Sequence, residues 1–178
     1  MKNSSELPEI YTDRLVLRRL DENDRSVIFL IRSNKEIAKY LDRTVYKSEK
    51  EAAEFITKIN NGIINKEWFY WAICKKNDGA CIGTICLWNL SEQESKAEIG
   101  FELLPDYQRK GYMTEAAQVV IRFGFEEIHL HFIEGEVDPH NSRSIQLLKK
   151  IGFELKQIKN ETTDKQLTDV YILGGFRH

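Results

Sequence analysis

The sequence is poor in cysteine, in long apolar runs and in excess charge of either sign. Its three cysteines, Cys74, Cys81 and Cys86, form no Cys-x-x-Cys pair and lie among strand-forming residues. We therefore expect buried thiols in a reducing compartment, and no disulfide framework, zinc site or catalytic thiol. The longest apolar run, residues 27–31, is far shorter than the roughly 20 residues of a membrane-spanning helix. Residues 1–6 lack the apolar core of a signal peptide, which predicts a cytoplasmic protein with no membrane partner.

The charge balance and the spacing of the histidines argue against a nucleic-acid-binding protein and against a metal site. The net charge is −2, and without a basic surplus we expect no nucleic-acid partner. The histidines lack the spacing of a metal site, so no metal is expected; they are His129, His131, His140 and His178. The length of 178 residues predicts a single domain over residues 1–178, with residues 1–9 as a loose N-terminal segment.

The hydrophobic pattern predicts strands that first form a meander and then alternate with helices. Strands are predicted at 12–20, 68–75, 81–88, 97–104, 130–137, 153–158 and 168–173. Helices are predicted from Asp21 or Asn23 to about residue 31, over 48–64 behind a Ser48 and Glu51 capping box, from about residue 112, and over 141–151. The predicted fold class is α/β (mixed α+β): a central, mostly antiparallel twisted sheet of six to seven strands with helices on both faces.

The segment after the strand at 97–104 combines a strand end, a glycine and a helix start. Pro105 ends the strand, and Gly111 permits close backbone approach just before the helix begins near Tyr112. A helix N-terminus offers unpaired N–H groups and about half a positive charge, which suit a diphosphate, and Arg109 and Lys110 add positive charge. Spacing alone fits an ordinary connector at least as well, and the glycine patterns of P-loops and dinucleotide-binding loops are absent.

Residues 105–116, Pro-Asp-Tyr-Gln-Arg-Lys-Gly-Tyr-Met-Thr-Glu-Ala, resemble the acetyl-CoA signature of the GNAT superfamily, Gln/Arg-x-x-Gly-x-Gly/Ala. The chain is similar, more narrowly, to the ribosomal-protein N-terminal acetyltransferase branch. The matching stretches follow the family's order: Thr-Asp-Arg-Leu-Val-Leu-Arg at 12–18, Ile-Gly-Thr-Ile at 82–85, Glu-Ile-Gly-Phe at 98–101, Asn-Ser-Arg-Ser at 141–144 and Lys-Ile-Gly-Phe at 150–153. Met113 departs from the signature, because many members have Gly or Ala there.

The resemblance implies a GNAT-like sheet whose strands splay apart where acetyl-CoA binds as a co-substrate. It assigns the pyrophosphate to Gln108, Arg109, Lys110, Gly111, Tyr112, Met113 and Thr114. It implies that the backbone edge at Phe101 and Leu103 pairs with the pantetheine amides like an added strand. Asn141 is implied to bond the pantetheine arm, and Ser144 to lie near the thioester sulfur.

Direct acetyl transfer, which the resemblance also implies, needs a base for the amine and no covalent nucleophile. Glu136 is the first candidate, because it precedes Asn141 by five residues, where some protein N-acetyltransferases carry their base. The next candidates are Glu102, Glu134 and Glu161. Each of these carboxylates has an alternative role on a solvated surface or in binding a substrate cation.

Ser144 is the candidate hydrogen-bond donor to the leaving sulfur. Some relatives use a Tyr seven residues after the Asn as the acid, and that position is Leu148 here, which favours Ser144. Its alternative role is that of a first-turn helix residue bonded to its own backbone. The backbone N–H of Leu103 or a neighbour is the candidate donor to the carbonyl oxygen.

The acceptor is predicted to be a primary amine, and the branch resemblance favours the α-amine of a protein or peptide. The first alternative is a small amine: a polyamine, an aminoglycoside or an amino acid. For a polyamine the converging carboxylates would be Glu98, Glu102, Glu134 and Glu136. The second alternative is a non-catalytic acyl-CoA-binding sensor. The chain is expected to be a monomer or a homodimer.

Aromatic residues cluster around the predicted hairpin. Trp68, Phe69, Tyr70, Trp71 and Trp88 are expected to pack mostly in the core. Some of them, together with Tyr40 and Tyr46, are candidates for the lining of an acceptor pocket.

Overall fold

A computed structural model describes residues 7–41, 43–159 and 168–175 of the chain. The strands are β1 (Ile10–Tyr11), β2 (Leu15–Arg18), β3 (Phe69–Lys75), β4 (Cys81–Ser91), β5 (Lys96–Leu103), β6 (Phe132–Val137), β7 (Glu154–Lys159) and β8 (Thr168–Gly174). The helices are α1 (Arg25–Ser33), α2 (Lys35–Ala38), α3 (Glu49–Ile64), α4 (Tyr112–Glu126) and α5 (Ser142–Lys150). Across these described ranges, no helix combines the length and the apolar character needed to cross a membrane.

The described strands form one sheet in the order β1-β2-β3-β4-β5-β6-β8-β7. Each neighbouring pair is antiparallel except β5 and β6, which run parallel. The mixed fold with a mostly antiparallel sheet is therefore confirmed. The eighth strand, beyond the predicted six to seven, is β1, in which only Ile10 and Tyr11 pair with β2. A strand this short leaves no alternating pattern in the sequence.

Helices cover both faces of the sheet, as predicted. On one face α4 and α5 enclose a core that includes Trp71, Val120, Ile133 and Leu148, each at most 1% exposed. On the other face α1 and α3 enclose a second core, which contains Ile28 and residues of β3 and β4. Full burial of one such large side chain contributes roughly 1.5–3 kcal/mol, so both helical layers are firmly attached to the sheet.

The hairpin aromatics divide between the two cores. Trp71 stacks on Phe69 at 6.2 Å, and Phe123 of α4 packs edge-on against both rings. Tyr70 is buried in the core on the opposite face. The core role is confirmed for these strand residues, whereas Trp88 is 42% exposed.

The helix ends follow local signals in the sequence. Ser48 and Glu51 form the predicted capping box of α3. Asp21 caps a 3-10 turn at Glu22–Asp24, and this turn leads into α1 instead of beginning the helix directly. Gly152 follows α5 with a φ of +98°, the left-handed conformation that ends many helices.

The described part of the predicted loose segment at residues 1–9 is packed. Residues 1–6 lie outside the described residues. Leu7 packs against both cores, and the Pro8 carbonyl accepts a 2.8 Å hydrogen bond from the Trp71 indole. These contacts attach the chain to the sheet before β1 begins.

The three cysteines are free thiols on β3 and β4. Cys74 and Cys81 are buried and directly opposite each other in the strand register, and Cys86 is half-buried. Burial raises the pKa of Cys86 to about 12, so this thiol is protonated and unreactive at neutral pH. The prediction of buried strand thiols is confirmed for Cys74 and Cys81.

Candidate active site

The parallel strands β5 and β6 separate part-way along their length. Their pairing joins Lys96 to Phe132, Ala97 to Ile133 and Glu98 to Glu134. Beyond these pairs β5 continues to Leu103 and β6 to Val137, so a cleft opens between their facing backbone edges. The predicted splay is present, and strand edges of this kind can hydrogen-bond an extended ligand.

Phe101 and Leu103 form the edge of β5 that faces the cleft. The N–H of Leu104 donates to the Ile82 carbonyl of β4 at 3.0 Å, and successive residues of a strand direct their backbone groups to opposite sides. The groups of Phe101 and Leu103 therefore point away from β4. In agreement, the Gln108 side chain donates to the Leu103 carbonyl at 3.0 Å.

The loop from Gln108 to Gly111 leads from the end of β5 into α4. Arg109 and Gly111 both adopt the left-handed region, with φ of 60° and 80°, and Gly111 is the N-cap of α4. Such turns before a helix start direct several backbone N–H groups to one side, and the helix dipole adds positive potential there. Arg109 and Lys110 are exposed at the rim. This geometry suits a diphosphate.

Arg14 and Glu115, to which sequence reasoning gave no role, hold this loop against β2. Arg14 Nη1 donates to the Lys110 carbonyl at 3.0 Å, and Arg14 Nε donates to Glu115 Oε2 at 2.7 Å. Glu115, in the first turn of α4, also accepts from Thr12 Oγ1 and from the Arg14 N–H. The sequence signals these contacts only through the Thr-Asp-Arg stretch at 12–14.

These contacts also fix the charge of Glu115. Burial alone would raise the pKa of its carboxyl group, but the hydrogen bonds from Thr12 and Arg14 and the charge of Arg14 outweigh burial and lower the pKa below its usual value. Glu115 is therefore a carboxylate at neutral pH. A negative charge in the first helical turn is also favoured by the helix dipole.

The N-terminus of α5 is connected to the loop from Gln108 to Gly111, which we call the phosphate loop. Arg143 Nη1 donates to Gln108 Oε1 at 2.9 Å. Asn141 caps α5, because its Oδ1 accepts from the N–H of Ser144 at 3.2 Å. The Asn141 amide NH₂ is a separate donor, so the cap is compatible with the role that the resemblance implies for Asn141. Ser144 is half-buried in the first turn of the helix.

Glu102 lies between two arginines that sequence reasoning did not select. Its Oε2 is 3.4 Å from Arg32 Nη1, and its Oε1 accepts from Arg43 Nη2. Only 12% of the Glu102 side chain is exposed. Both carboxylate oxygens are thus engaged by guanidinium groups and little water reaches them, and the role of Glu102 as base stays a prediction.

Three further carboxylates share a sheet face with Glu102. Strand alternation and the register of β5 against β6 place Glu98, Glu102, Glu134 and Glu136 on the face opposite α4, which we call the carboxylate face. Glu134 lies 3.4 Å from Lys96 and 3.2 Å from Lys156. Glu136 is exposed on the part of β6 that borders the cleft, so its carboxylate is open to water.

Two of the candidate pocket aromatics lie near these carboxylates. A Cβ on Gly100 would be only 3.5 Å from Trp88 Nε1, so the Trp88 indole covers the strand beside the cleft. The Tyr46 ring centre is 4.9 Å from the Arg32 guanidinium. Tyr40 is half-buried just after α2.

Glu161 and His178 lie outside the described residues. Within the described ranges, no group of three or more His, Cys, Asp or Glu side chains is arranged to hold a metal ion.

Comparison with known proteins identifies the family. Residues 14–154 match the model of the acetyltransferase (GNAT) domain. The chain belongs to the GNAT acetyltransferase family. The matched range includes the splayed strands, the phosphate loop and α5, so the resemblance drawn from the sequence motifs is confirmed.

Relatives of this GNAT chain agree on the type of reaction. The chain is 33% identical over 168 residues to the uncharacterized N-acetyltransferase p20 of Bacillus licheniformis, covering 93% of this chain and 94% of p20. It is 25% identical over 140 residues to the spermidine N(1)-acetyltransferase of Escherichia coli K12, covering 79% and 73% of the two chains.

A solved structure shares the fold. The putative ribosomal-protein-serine acetyltransferase from Vibrio cholerae aligns with a TM-score of 0.84 at 23% identity, covering 94% of this chain and 98% of that one. The family and the relatives make the protein a GNAT N-acetyltransferase that acts on amines, and the GNAT fold uses acetyl-CoA as the donor.

Proposed function

We propose that this GNAT enzyme transfers the acetyl group of acetyl-CoA directly to the α-amine of a protein or peptide N-terminus. The proposal is carried by the pairing of charges on the carboxylate face. Glu102 lies between two arginines, and Glu134 lies between two lysines. A polyamine needs several carboxylates that are not already neutralised. An acceptor with a single amine at its reacting end fits this face better.

The proton that the acceptor must lose also favours an α-amine. An α-amino group has a pKa of about 7.7–8.0, so removing its proton to give the neutral amine costs only about 1–1.4 kcal/mol at pH 7. A lysine side chain, with a pKa of about 10.4, would cost more than about 4 kcal/mol. A carboxylate that acts through one water molecule is therefore sufficient for an α-amine.

The donor half of the reaction is assigned to the cleft and the loop. The pyrophosphate is assigned to Gln108, Arg109, Lys110, Gly111, Tyr112, Met113 and Thr114, mainly through backbone N–H groups. The Gln108 N–H already donates to the Pro105 carbonyl at 3.1 Å, so Gln108 contributes through its side chain, which bonds Leu103 and Arg143. The left-handed φ of Gly111 and its N-cap position support this assignment. The pantetheine amides pair with the cleft edge at Phe101 and Leu103, and the Asn141 amide bonds the same arm.

The acceptor half of the reaction is assigned to Glu136 and Ser144. Glu136 takes the proton from the amine, directly or through one water. The amine nitrogen forms a bond to the thioester carbonyl carbon, and the carbon–sulfur bond breaks so that the sulfur leaves as a thiolate. The Ser144 hydroxyl donates a hydrogen bond to that sulfur. The N–H of Leu103 or a neighbour stabilises the carbonyl oxygen as it gains negative charge.

A polyamine is the alternative acceptor. The relative that acts on spermidine supports it, as does the register that sets Glu98 directly opposite Glu134. The two proposals differ in the number of positive charges that the acceptor carries near the cleft.

A thiol-release assay with acetyl-CoA distinguishes the two proposals. The panel comprises N-terminal peptides, polyamines, aminoglycosides and free amino acids. We expect the highest kcat/KM with peptides. A matched peptide with a blocked N-terminus and one internal lysine should give no product, because only the free α-amine reacts. A clear preference for polyamines would contradict the proposed acceptor.

A further inference from the structure

Two arginines from separate parts of the chain meet at Glu102. Arg32 lies in the last turn of α1, and Arg43 lies between α2 and α3. Arg43 Nη1 donates to the Arg32 carbonyl at 3.0 Å, and the Tyr46 N–H donates to the same carbonyl at 3.1 Å. The side chains of Arg32 and Arg43 are only 16% and 14% exposed. The segment between α2 and α3 is thereby fixed to β5.

Stability alone does not account for this cluster. The Nε atoms of Arg32 and Arg43 are buried and have no hydrogen-bond partner within the described chain. A buried donor without a partner costs about 1–3 kcal/mol, and well-packed apolar residues often replace buried ion pairs without loss of stability. Arg32 recovers part of this cost by lying 4.1 Å from the centre of the Phe55 ring. The arrangement therefore points to a functional use of the charges.

We propose that Arg32 and Arg43 determine acceptor specificity by neutralising Glu102, an inference that rests on the proposed function. Glu102 is flanked in β5 by Phe101 and Leu103, the residues proposed to bind the pantetheine arm, so the proposed path of that arm runs beside its charge. With Glu102 neutralised, the second positive charge of a polyamine has no partner at this position. An N-terminal α-amine carries no second positive charge that would need a carboxylate partner here, so it can still bind.

On this proposal, the selectivity between acceptors depends on the net charge of the cluster formed by Arg32, Arg43 and Glu102. Two guanidinium groups and one carboxylate carry a net charge of +1. Removing one arginine leaves the cluster neutral, and removing the carboxylate leaves it at +2. Because charges at short range in a partly buried site interact strongly, each step should change the spermidine-to-peptide ratio of kcat/KM by roughly tenfold, in opposite directions.

The test compares Arg43→Gln and Glu102→Gln in the full-length protein, with spermidine and an N-terminal peptide as acceptors. We expect Arg43→Gln to raise the spermidine-to-peptide ratio and Glu102→Gln to lower it. The gain in Arg43→Gln should shrink as the salt concentration rises, because added ions screen the attraction. Thermal melts of both variants identify any loss of folding, and Glu102→Gln, which preserves side-chain size, keeps the test decisive if Arg43→Gln unfolds.

Arg25→Gln is the matched control. Arg25 lies on the same helix as Arg32, is 54% exposed and pairs with Glu49, so this variant removes the same charge without touching Glu102. The spermidine-to-peptide ratio of kcat/KM for Arg25→Gln should stay within about twofold of the wild-type value. A ratio that is equally unchanged in folded Arg43→Gln would overturn the specificity role. It would leave the proposed function intact if peptides remained the preferred acceptors.

A further outcome concerns Glu102 itself. If Glu102→Gln lowers kcat with the peptide more than about a hundredfold and removes the acidic limb of the pH profile, Glu102 is the base and the proposal fails. If the wild-type protein already prefers spermidine, the proposed function and this inference fail together.

Discussion

The two sides of the cleft are built from different parts of the polypeptide. On the proposed donor side, the cleft edge of β5, the phosphate loop and the start of α4 follow one another between residues 101 and 115, and they present mainly backbone groups. The carboxylate face is built from side chains of α1, the α2–α3 segment, β5 and β6, which meet only in the folded protein. A site built from one stretch of backbone is visible in the sequence as a contiguous motif, whereas a site built from side chains of distant segments has no such motif.

This difference also predicts how the two sides respond to substitution. On the proposed assignment, donor binding depends on the path of the backbone, so it should respond to changes that alter φ and little to changes of charge at the rim. On the same proposal, acceptor selection depends on a few charges, so one substitution there should alter the reaction while coenzyme binding stays intact. Substitutions on the two sides of the cleft therefore separate these two dependences.

Glu136→Gln should have the largest effect. If Glu136 is the base, kcat with an N-terminal peptide falls roughly a hundredfold, and the acidic limb of the pH profile disappears. The dissociation constant of acetyl-CoA, measured by calorimetry, should not change. Glu92→Gln is the control, because Glu92 is exposed in the turn between β4 and β5. Full turnover by Glu136→Gln would remove Glu136 from the mechanism.

Gly111→Ala should weaken acetyl-CoA binding by roughly tenfold. A φ of +80° costs a residue with a side chain about 1–2 kcal/mol, and the new Cβ would lie 3.3 Å from Arg14 Nη2. The loop then relaxes and its N–H groups lose their common direction. The measurement is the dissociation constant of acetyl-CoA.

Gly79→Ala is the matched control for this prediction. Gly79 has a similar φ of +70° in the β3–β4 hairpin, and a Cβ there meets no atom within 4 Å. The Gly79→Ala variant should lose a comparable amount of unfolding free energy, and its affinity for acetyl-CoA should not change. Equal losses of affinity in both variants would show that general destabilisation, and not the loop, is responsible.

The same contrast explains which features the sequence could predict. The strand and helix pattern, the Ser48 capping box and the Gly111 loop depend on local signals, and each is present in the structure. The family followed from motifs that are also local. The strand β1 was missed because it consists of only two residues.

The side-chain clusters could not be predicted from the sequence in the same way. Nothing in the chain around Arg43 indicates that it reaches β5, because that contact depends on how the α2–α3 segment packs. The bond between Arg14 and Glu115 likewise joins residues far apart in the chain. The sequence shows Glu102 only as a carboxylate on a strand face, and its arginine partners become visible only in the fold.

Ser144→Ala should lower kcat by roughly fivefold, the effect of one hydrogen bond worth about 1 kcal/mol. The effect should be larger with a thioester whose thiolate is a poorer leaving group, because the hydroxyl stabilises the sulfur. The cap of α5 is unaffected, since Asn141 Oδ1 accepts from the Ser144 backbone N–H. Ser142→Ala, two residues earlier and exposed, is the control. Identical kcat values in both variants would show that Ser144 has a structural role in the helix and does not stabilise the leaving sulfur.

Glu115→Gln should have the smallest effect on turnover and a distinct effect on stability. The folded-state pKa of Glu115 is lowered, so its carboxylate stabilises the fold at pH values above its unfolded-state pKa. That stabilisation is lost as the pH falls through the folded-state pKa. At pH 7 the variant should lose roughly 1–2 kcal/mol of unfolding free energy, because it weakens hydrogen bonds to a charged group.

The pH dependence distinguishes this support of the loop from an ordinary surface effect. The difference in unfolding free energy between wild type and Glu115→Gln, measured by denaturant titration, should be constant near neutral pH and shrink in acid. Glu126→Gln, at the exposed end of α4, should show no such difference. Because Arg14 holds Glu115 and the Lys110 carbonyl together, the variant should also weaken acetyl-CoA binding by about two- to threefold. A stability difference independent of pH would mean that the charge of Glu115 does not support the donor side.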